Sequence, residues 1–598
     1  AAPWKQRFRA LAVLWTQLAR EAPGRGMAVS NQTGVYQLYA WDVASGDLRQ
    51  ITNRAEGMLS GMIAPDGRYI YYHDDQGGNE IGHFVRVPFE GGAPEDVAPD
   101  LPPYSAWSIG ASRSGNMIGF IQASDDGFHL HLIDMGNDGK IGAHRELYHT
   151  RSLAFGPSFS YAGEIALVAS SERAGKPQFS LLAIDTSSGE RIAELWDGPD
   201  TSVESVSFAP IRNDGRVLAT TNRSGLKRPL IWIPRTGERI DLQFPELAGE
   251  VEPWQWSDDA RRLLLCQTNA AVQQLYVYDL VSRNLVRLNH PEGSFWAAHF
   301  VSDSEIWITW NDAAHPPQTI ALDAATGERT RTILAAGDVP PGRPWRSVTF
   351  TSSDGQTIQA WLAVPEGDGP FPTIIDTHGG PSAVSTPGFS PESQTWLDHG
   401  FAWMTINYRG STTFGREFEE KIWGDLGHWE IEDMVAGRDW LIEQDIADPD
   451  SILLTGWSYG GYLTLMGLGK RPDLWAGGMA GVAIADWSIQ YEDTADTLKA
   501  YQVAILGGTP QEQPEHYAAA SPITYAENVA APVLVIQGRN DTRTPARPIE
   551  MYEQKLKQLG KQIDVHWFDA GHAGGFAQTE QAILHHELML RFAYRVLG

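Results

Sequence analysis

The chain has 598 residues, of which 42% are hydrophobic and 10% aromatic, and its formal net charge is −28. These proportions are typical of folded domains and exclude a largely disordered chain. The acidic excess disfavours partners that reward Lys and Arg, so we expect no nucleic-acid binding and no attachment to an anionic membrane. The single cysteine, Cys266, excludes an intramolecular disulfide or a Cys-based metal cluster, and we expect it to fill the core.

The sequence contains no run of about 18 consecutive apolar residues, so it predicts no transmembrane helix. The N-terminal segment lacks the continuous apolar stretch of a signal peptide, because Arg7, Arg9 and Gln17 interrupt it. We therefore expect a cytoplasmic protein. A removed leader stays open as the alternative, since the sequence begins at Ala1.

The first predicted element is an amphipathic helix within residues 1–23. Phe8, Leu11, Trp15 and Leu18 recur at helical spacing and form one apolar stripe. The flanking sequence is not markedly basic, as that of a membrane-surface helix would be. We therefore expect this segment to be a helix that docks on the C-terminal domain.

Residues 24–335 carry two short patterns that alternate along the chain, with a period of about 45 residues. One is an apolar strand beside an Asp/Ser/Gly turn, as in IAPDGRYIYY at 63–72. The other is a strand that runs into a Gly-containing turn, as in LLAIDTSSGE at 181–190. Each pattern occurs seven times. Because a single four-stranded blade cannot bury both of its faces, the count predicts a seven-bladed β-propeller rather than an irregular pair of β-sandwiches.

Residues 336–598 follow a different pattern, in which apolar strands alternate with helices. The change comes at the Pro/Gly-rich stretch GDVPPGRP at 337–344, which is the predicted linker. Alternation of strand and helix predicts a doubly wound, mostly parallel sheet with helices on both faces. We therefore expect a multidomain chain in which residues 336–598 form an α/β domain after the N-terminal helix and the propeller.

The motif GWSYG at 456–460 follows the apolar strand SILLT and precedes the helical run YLTLMGLG. A G-x-S-x-G motif between a buried strand and a helix is the nucleophile elbow of an α/β-hydrolase. The glycines keep side chains out of a crowded turn, and the helix N-terminus favours developing negative charge. Ser458 is therefore the predicted nucleophile of an α/β-hydrolase domain.

A serine hydroxyl needs a base, and the base needs an acid that orients it. In this fold the acid and then the histidine follow the serine along the chain. Asp541 comes after the predicted strand APVLVIQG, and His572 lies in the Gly-flanked segment AGHAGG after the next strand. We predict these two as the partners of Ser458, with Asp569 as the competing acid. Other histidines, which lie inside predicted strands or helices and are expected to be structural, are His566, His585 and His586.

Acyl transfer also needs N–H donors aimed at the oxyanion. One predicted donor is the backbone N–H of Tyr459, directly after the nucleophile. The other is that of Gly379 in the loop HGGP at 378–381, where glycine lets the backbone approach a substrate. We expect His378 to pack this loop rather than to act as a second base.

Five motifs occur in a fixed order along the C-terminal half. They are HGGP (378–381), NYRGSTTFGREF (407–418), GWSYGGY (456–462), GRNDTRTP (538–545) and AGH (570–572). Behind a propeller, this combination resembles the prolyl oligopeptidase family of serine peptidases. It is most similar to the acylaminoacyl-peptidase and dipeptidyl-peptidase branches of that family.

The resemblance implies roles for further residues. In this family an Arg two residues after the catalytic Asp binds the carbonyl of the P2 residue, and Arg543 holds that position, with a surface arginine as the alternative. Aromatic residues beyond the elbow line the S1 pocket, which makes Trp487 and Tyr491 candidates; core packing stays open for both. Dipeptidyl peptidases grip a free amine with paired propeller glutamates, and no adjacent Glu-Glu occurs in residues 24–335, which favours a blocked N-terminal residue or a short peptide.

We therefore expect a serine peptidase that hydrolyses short peptides or acyl-peptides and releases N-terminal (acyl)amino acids. It would need no metal and no cofactor, and the propeller would exclude folded proteins from the site. Three alternatives stay open: a dipeptidyl peptidase or aminopeptidase, a carboxylesterase or amidase on the same triad, and an inactive propeller scaffold. The sequence also leaves open the P1 preference and whether the chain forms a homo-oligomer.

Overall fold

A computed structural model describes residues 2–598 of the chain. Seven four-stranded sheets are followed along the chain by one eight-stranded sheet with helices on both faces. The predicted fold class, a seven-bladed β-propeller joined to a doubly wound α/β-hydrolase domain, is confirmed.

Each blade is an antiparallel sheet of four consecutive strands. Blades 1 to 4 contain β1–β4 (Val13–Leu18, Arg25–Ser30, Gln37–Asp42, Leu48–Gln50), β5–β8 (Met62–Ile63, Tyr69–Asp75, Gly82–Pro88, Glu95–Asp96), β9–β12 (Ser105–Ala111, Met117–Ser124, Gly127–Met135, Ile141–Thr150) and β13–β16 (Ala154–Phe159, Ile165–Ser170, Ser180–Asp185, Arg191–Leu195). Blades 5 to 7 contain β17–β20 (Val203–Phe208, Val217–Thr221, Arg228–Trp232, Arg239–Asp241), β21–β24 (Glu250–Trp256, Arg262–Asn269, Val272–Asp279, Leu285–Arg287) and β25–β28 (Ser294–Phe300, Glu305–Asp312, His315–Asp323, Arg329–Leu334).

The N-terminal segment differs from its prediction. The helix, α1, spans only Pro3–Arg9, and Val13–Leu18 forms β1, which pairs with β2. Ala1 lies outside the described residues. Val13 and Leu18 are buried with Trp307 of blade 7, so β1 completes blade 1 and closes the ring of blades. Long-range pairing outweighs the helical spacing of the apolar residues, because the first blade is incomplete without this strand.

The short helix α1 lies against the C-terminal domain. Arg7 is only 3% exposed, and it donates to Asp398 at 2.7 Å and to the carbonyl of Pro341 at 2.8 Å. Arg9 donates to both carboxylate oxygens of Glu580 at 2.6 and 2.8 Å. The helix is therefore held by charged contacts as well as by burial of its apolar side chains.

The hydrolase sheet has eight strands, β29 to β36, which are Arg346–Thr351, Thr357–Ala363, Phe371–Thr377, Ala402–Asn407, Ala447–Trp457, Gly477–Gly481, Val533–Gly538 and Ile563–Phe568. Their order in the sheet is β29-β30-β32-β31-β33-β34-β35-β36. The pairs β29–β30 and β30–β32 are antiparallel, and the remaining pairs are parallel. Six of these strands match the predicted ones, whereas β29 and β30 were not predicted.

Helices cover both faces of this sheet. They are α2 to α11, at Pro391–Asp398, Arg416–Glu420, Trp429–Glu443, Tyr459–Lys470, Trp487–Asp493, Asp496–Leu506, Pro514–Ala520, Ala546–Gln558, Gly574–Ala577 and Thr579–Leu597, with a 3₁₀ helix at Pro522–Tyr525. Cys266 lies in β22 and is 2% exposed, so it is a core residue as predicted. Within residues 2–598, no helix combines the length and the hydropathy needed to cross a lipid bilayer.

Candidate active site

Ser458 lies between β33 and α5, at the turn that the motif predicts. Its φ of 58° is in the left-handed region, which a residue with a Cβ adopts at a cost of about 1–3 kcal/mol. The turn is crowded, because a Cβ added to Gly460 would lie 2.0 Å from the carbonyl oxygen of Thr377. The Ser458 N–H donates to the carbonyl of Gly481 at 2.9 Å, which ties the strained residue to the next strand.

Asp541 and His572 are hydrogen-bonded to each other. The distance from His572 Nδ1 to Asp541 Oδ2 is 2.8 Å, and the Asp541 side chain has no exposed surface. The carboxylate also accepts the N–H groups of Arg543 and Thr544 at 2.8 and 2.9 Å and the Thr544 hydroxyl at 2.8 Å. Because an ionised carboxylate only accepts, His572 donates from Nδ1, which leaves Nε2 free to accept a proton.

Ser458, His572 and Gly379 line one cavity of about 580 Å³, here called the catalytic cavity. A Cβ built on Gly379 would lie 3.4 Å from the Cβ of Ser458, so the loop at 378–381 runs beside Ser458. Within residues 2–598, neither the Gly379 N–H nor the Tyr459 N–H has a hydrogen-bond acceptor. Both donors are therefore free to receive an oxyanion.

His378 holds the loop that carries Gly379. Its Nδ1 lies 2.7 Å from the carbonyl oxygen of Gly379, and its Nε2 lies 2.8 Å from the hydroxyl of Ser411. Burial lowers the pKa of His378 to about 4, so the ring is neutral near pH 7. With both ring nitrogens engaged, His378 orients the loop and offers no second base.

The competing acid and bases are placed differently. The side chain of Asp569 is 95% exposed, and its ion-pair partner is Arg539 at 4.0 Å. His566 lies in β36, and burial lowers its pKa. His585 and His586 do line the catalytic cavity, but burial lowers the pKa of both, that of His585 to about 3. None of the four contacts Asp541 in the described part of the chain.

Trp487 corrects one predicted role. It is 4% exposed, and its ring packs 5.4 Å from that of Tyr462 and 6.4 Å from that of Tyr459. Trp487 begins α6 and packs within the core of the hydrolase domain, so core packing, the open alternative, describes it. Neither Trp487 nor Tyr491 lines the catalytic cavity; Tyr491 is half-buried against the same core.

Other aromatic residues surround the catalytic cavity. They are Trp345, Trp396, Trp403, Trp457 and Phe576. Two carboxyl groups, those of Asp376 and Glu392, also line it, and no Lys or Arg is among its lining residues. Burial, with the nearby charge of Glu392, raises the pKa of Asp376 to about 7. An aromatic cavity with two carboxyl groups and without Lys or Arg suits an aromatic or cationic part of a substrate.

A propeller loop that the sequence did not predict to lie here contacts the loops that carry Asp541 and His572. Glu80, between β6 and β7, accepts two hydrogen bonds from Arg543, both at 2.7 Å. The Asn79 carbonyl accepts from the hydroxyl of Thr542 at 2.7 Å, and the Gln76 and Gly77 carbonyls accept from Asn540 at 2.6 and 2.9 Å. This loop, residues 76–80, therefore ties the propeller to the segment that carries Asp541.

The sequence did contain a signal for this contact, the stretch QGGNE at 76–80. Two glycines within a blade hairpin allow another backbone to approach closely. A Cβ on Gly571, next to His572, would lie 1.7 Å from the carbonyl oxygen of Gly78. The two loops can touch only because both positions lack side chains.

A second cavity of about 360 Å³, here called the interdomain cavity, lies between this loop and the hydrolase domain. Three carboxylates, those of Glu56, Asp75 and Glu80, line this cavity together with one arginine, Arg543. Ala573 lines both this cavity and the catalytic cavity. Glu56 and Asp75 both pair with Arg54, at 2.6 and 2.7 Å. Each carboxylate that faces the interdomain cavity thus already has an arginine partner.

The C-terminal part of the chain matches a known protein family. Residues 387–598, which include Ser458, Asp541 and His572, match the model of the prolyl oligopeptidase family. The C-terminal domain is a prolyl oligopeptidase family domain. This confirms the resemblance seen in the motifs.

Three known proteins illustrate the similarity. Dipeptidyl aminopeptidase BIII of Pseudoxanthomonas mexicana is 28% identical over 297 residues, which are 46% of this chain and 42% of that protein. Acylamino-acid-releasing enzyme 2 of Oryza sativa subsp. japonica is 30% identical over 205 residues, 33% of this chain and 27% of that enzyme. The matched segments therefore span less than half of either relative. The crystal structure of a puromycin hydrolase shares the fold, with a TM-score of 0.82 at 19% identity, covering 98% of this chain and 95% of that one.

Proposed function

We propose that this chain is a serine peptidase that hydrolyses short peptides by acyl transfer and releases N-terminal (acyl)amino acids. The observation that carries the proposal is that Ser458, at a strained elbow, shares one cavity with His572, whose Nδ1 lies 2.8 Å from a buried Asp541. That arrangement is the one used for nucleophilic attack on an acyl carbon. The names of the relatives, which include acylamino-acid-releasing enzymes, support a peptide or amide substrate.

The proposed reaction has two halves. Ser458 Oγ attacks the carbonyl carbon while His572 Nε2 takes the hydroxyl proton, and the N–H groups of Gly379 and Tyr459 stabilise the oxyanion. The amine then leaves with the proton held by His572, and an acyl-enzyme forms. Water, deprotonated by His572, attacks this ester and releases the acid and free Ser458. Asp541 orients the imidazole and stabilises its cation throughout.

The interdomain cavity bears on the choice between blocked and free N-termini. Glu56, Asp75 and Glu80 are already paired with Arg54 or Arg543, so the described chain offers no unpaired carboxylates there for an ammonium group. This favours an acylated N-terminus. A second candidate, removal of unblocked dipeptides, is favoured by the similarity to dipeptidyl aminopeptidase BIII. One of these carboxylates would then have to exchange its arginine for the ammonium group of the substrate.

Hydrolysis of three matched substrates tests the proposal: an acyl-amino-acid anilide, an unblocked dipeptidyl anilide and a simple ester. We expect the acyl-amino-acid anilide to have the highest kcat/KM of the two anilides. Preference for the dipeptidyl anilide would establish the second candidate. Cleavage of the ester alone would overturn the peptidase assignment, and the absence of any turnover or active-site labelling would favour a scaffold.

Arg543→Ala is expected to raise KM about tenfold for peptide anilides, because a charge-assisted hydrogen bond to the P2 carbonyl would be lost. The simple ester, which lacks that carbonyl, should keep its KM. Arg547→Ala is the matched control, since Arg547 is an exposed arginine that pairs only with Glu492 and Asp493 in the described chain. An equal rise in KM with the ester would mean that Arg543 stabilises the loop at residues 76–80 and does not bind the substrate.

A further inference from the structure

Blade 3 carries a cluster of histidines on its last two strands. The antiparallel register of β11 and β12 places His129 directly opposite His149, and their imidazole rings stack with centroids 4.3 Å apart. Asp126 lies in the turn between β10 and β11, beside both rings. Its Oδ1 is 3.0 Å from His129 Nε2, and its Oδ2 is 3.9 Å from His149 Nε2.

These distances fit a metal ion. One ligand atom from each of the three residues lies within 4.8 Å of the others. Around a tetrahedral Zn²⁺, bonds of about 2.0–2.1 Å place ligand atoms about 3.3 Å apart. Small side-chain rotations would bring the three atoms to that spacing and leave the fourth position to water. His149 Nε2 would then give up its present 3.1 Å contact with the Asp126 carbonyl, and His129 Nε2 its 3.1 Å contact with the Ser124 hydroxyl.

A second carboxylate supports the first histidine. Glu146 Oε1 lies 3.2 Å from His129 Nδ1, on the side of the ring away from Asp126. Histidines that bind metals usually donate their other N–H to a carboxylate, which fixes the tautomer and the ring orientation. His129 therefore already has the supporting partner of a metal ligand.

The neighbouring histidines of the same two strands are arranged differently. His131 Nδ1 and His144 Nε2 lie 3.0 Å apart, so one ring donates to the other. His131 also contacts Gln122, and His144 contacts Asp100. His131 and His144 are therefore hydrogen-bonded to each other, whereas His129 and His149 stack and both approach the carboxylate of Asp126.

We propose that Asp126, His129 and His149 bind one divalent transition-metal ion, with Zn²⁺ as the first candidate. Two imidazoles and one carboxylate suit zinc and its neighbours and disfavour Mg²⁺ and Ca²⁺, which prefer oxygen ligands. The same turn faces the hydrolase domain, since Asp125 lies 3.9 Å from Lys499 of α7. The ion would stabilise this turn beside the interdomain contact and takes no part in acyl transfer.

Calorimetric titration of the untagged full chain with ZnCl₂, after dialysis against a chelator, tests the site. We expect one equivalent of zinc to bind, His149→Ala to abolish the binding, and Glu146→Gln to weaken it about 10–100-fold. The wild type loaded with Co²⁺ should give the absorption spectrum of a tetrahedral site.

Two variants serve as controls. His315 lies 2.8 Å from Asp312 at the same three-residue spacing as Asp126 and His129, but it has no third ligand within the described chain. His315→Ala and His144→Ala should therefore bind zinc like the wild type. The proposal is overturned if the wild type takes up no stoichiometric zinc, or if Glu146→Gln and His149→Ala bind it unchanged. Circular dichroism of each variant separates loss of the site from loss of the fold.

Discussion

Ser458→Ala is expected to lower kcat/KM by about 10⁶, because removal of the nucleophile leaves only substrate binding and the oxyanion donors. The variant should fold, since the hydrogen bonds at this residue use its backbone: its N–H donates to Gly481 at 2.9 Å, and its carbonyl accepts from Tyr462 at 2.9 Å. Labelling with a fluorophosphonate probe should disappear completely. Steady-state rates with the acyl-amino-acid anilide and gel fluorescence after labelling measure the two effects.

Ser451→Ala is the matched control, because Ser451 lies on the same strand and, within residues 2–598, its hydroxyl contacts only Asp448. It should retain both labelling and activity. Persistent labelling of the Ser458→Ala variant would place the nucleophile elsewhere and refute the assignment. If the Ser458→Ala variant lost labelling but the wild type showed no measurable peptidase activity, Ser458 would still be the nucleophile and the proposed substrate class would be wrong.

Asp541→Asn is expected to lower kcat by about 10⁴ with little change in KM. The amide of asparagine presents a donor toward His572 Nδ1, which reverses the tautomer and leaves Nε2 protonated and unable to accept from Ser458. The amide oxygen can still accept the N–H groups of Arg543 and Thr544, so the loop should keep its shape. Initial rates across a range of substrate concentrations separate kcat from KM.

Asp569→Asn is the control for this variant, because Asp569 is the other acid in the same region and its side chain is 95% exposed. Its rate should stay within about twofold of the wild type, as for most surface substitutions. If instead Asp569→Asn lost activity and Asp541→Asn retained it, the hydrogen bond between Asp541 and His572 would have no catalytic role.

The two halves of the fold were predictable to different degrees. The alternation of strand and helix placed β31 to β36 and the helix after Ser458 correctly, because each is a continuous apolar segment with clear ends. The strands β29 and β30 were missed, since an antiparallel extension of a parallel sheet has no pattern of its own. The propeller count was right, yet its first strand was assigned to a helix.

That error has a physical cause. Val13–Leu18 is a short segment. The spacing of Leu11, Trp15 and Leu18 is compatible with a helix as well as with a strand, so it does not distinguish the two. What makes it a strand is the pairing with β2 and the packing against Trp307, which lies almost 300 residues further along the chain. Contacts at such separation leave no trace in local spacing.

The sequence by itself determined the parts of the site that depend on local chain geometry. The elbow at Ser458, the order of Asp541 and His572, and the glycines around them follow from what a strand, a turn and a helix require within a few residues. Arg543 was predicted as a substrate-binding residue from its position after Asp541, and that role stays a prediction, whereas its ion pair with Glu80 was not predicted.

Only the tertiary structure decided which side chains surround these residues. The aromatic lining of the catalytic cavity comes from separate elements, as Trp396 of α2 and Trp403 of β32 illustrate, while Trp487 turned out to be core. Likewise, His129 and His149 become neighbours through the register of two strands. The acidic charge of the chain predicts only which classes of partner are disfavoured. The distribution of carboxylates and arginines over the two cavities depends on how the propeller and the hydrolase domain meet. Cavities and ion pairs depend on residues far apart in the chain, and their geometry arises only when long-range packing brings them together.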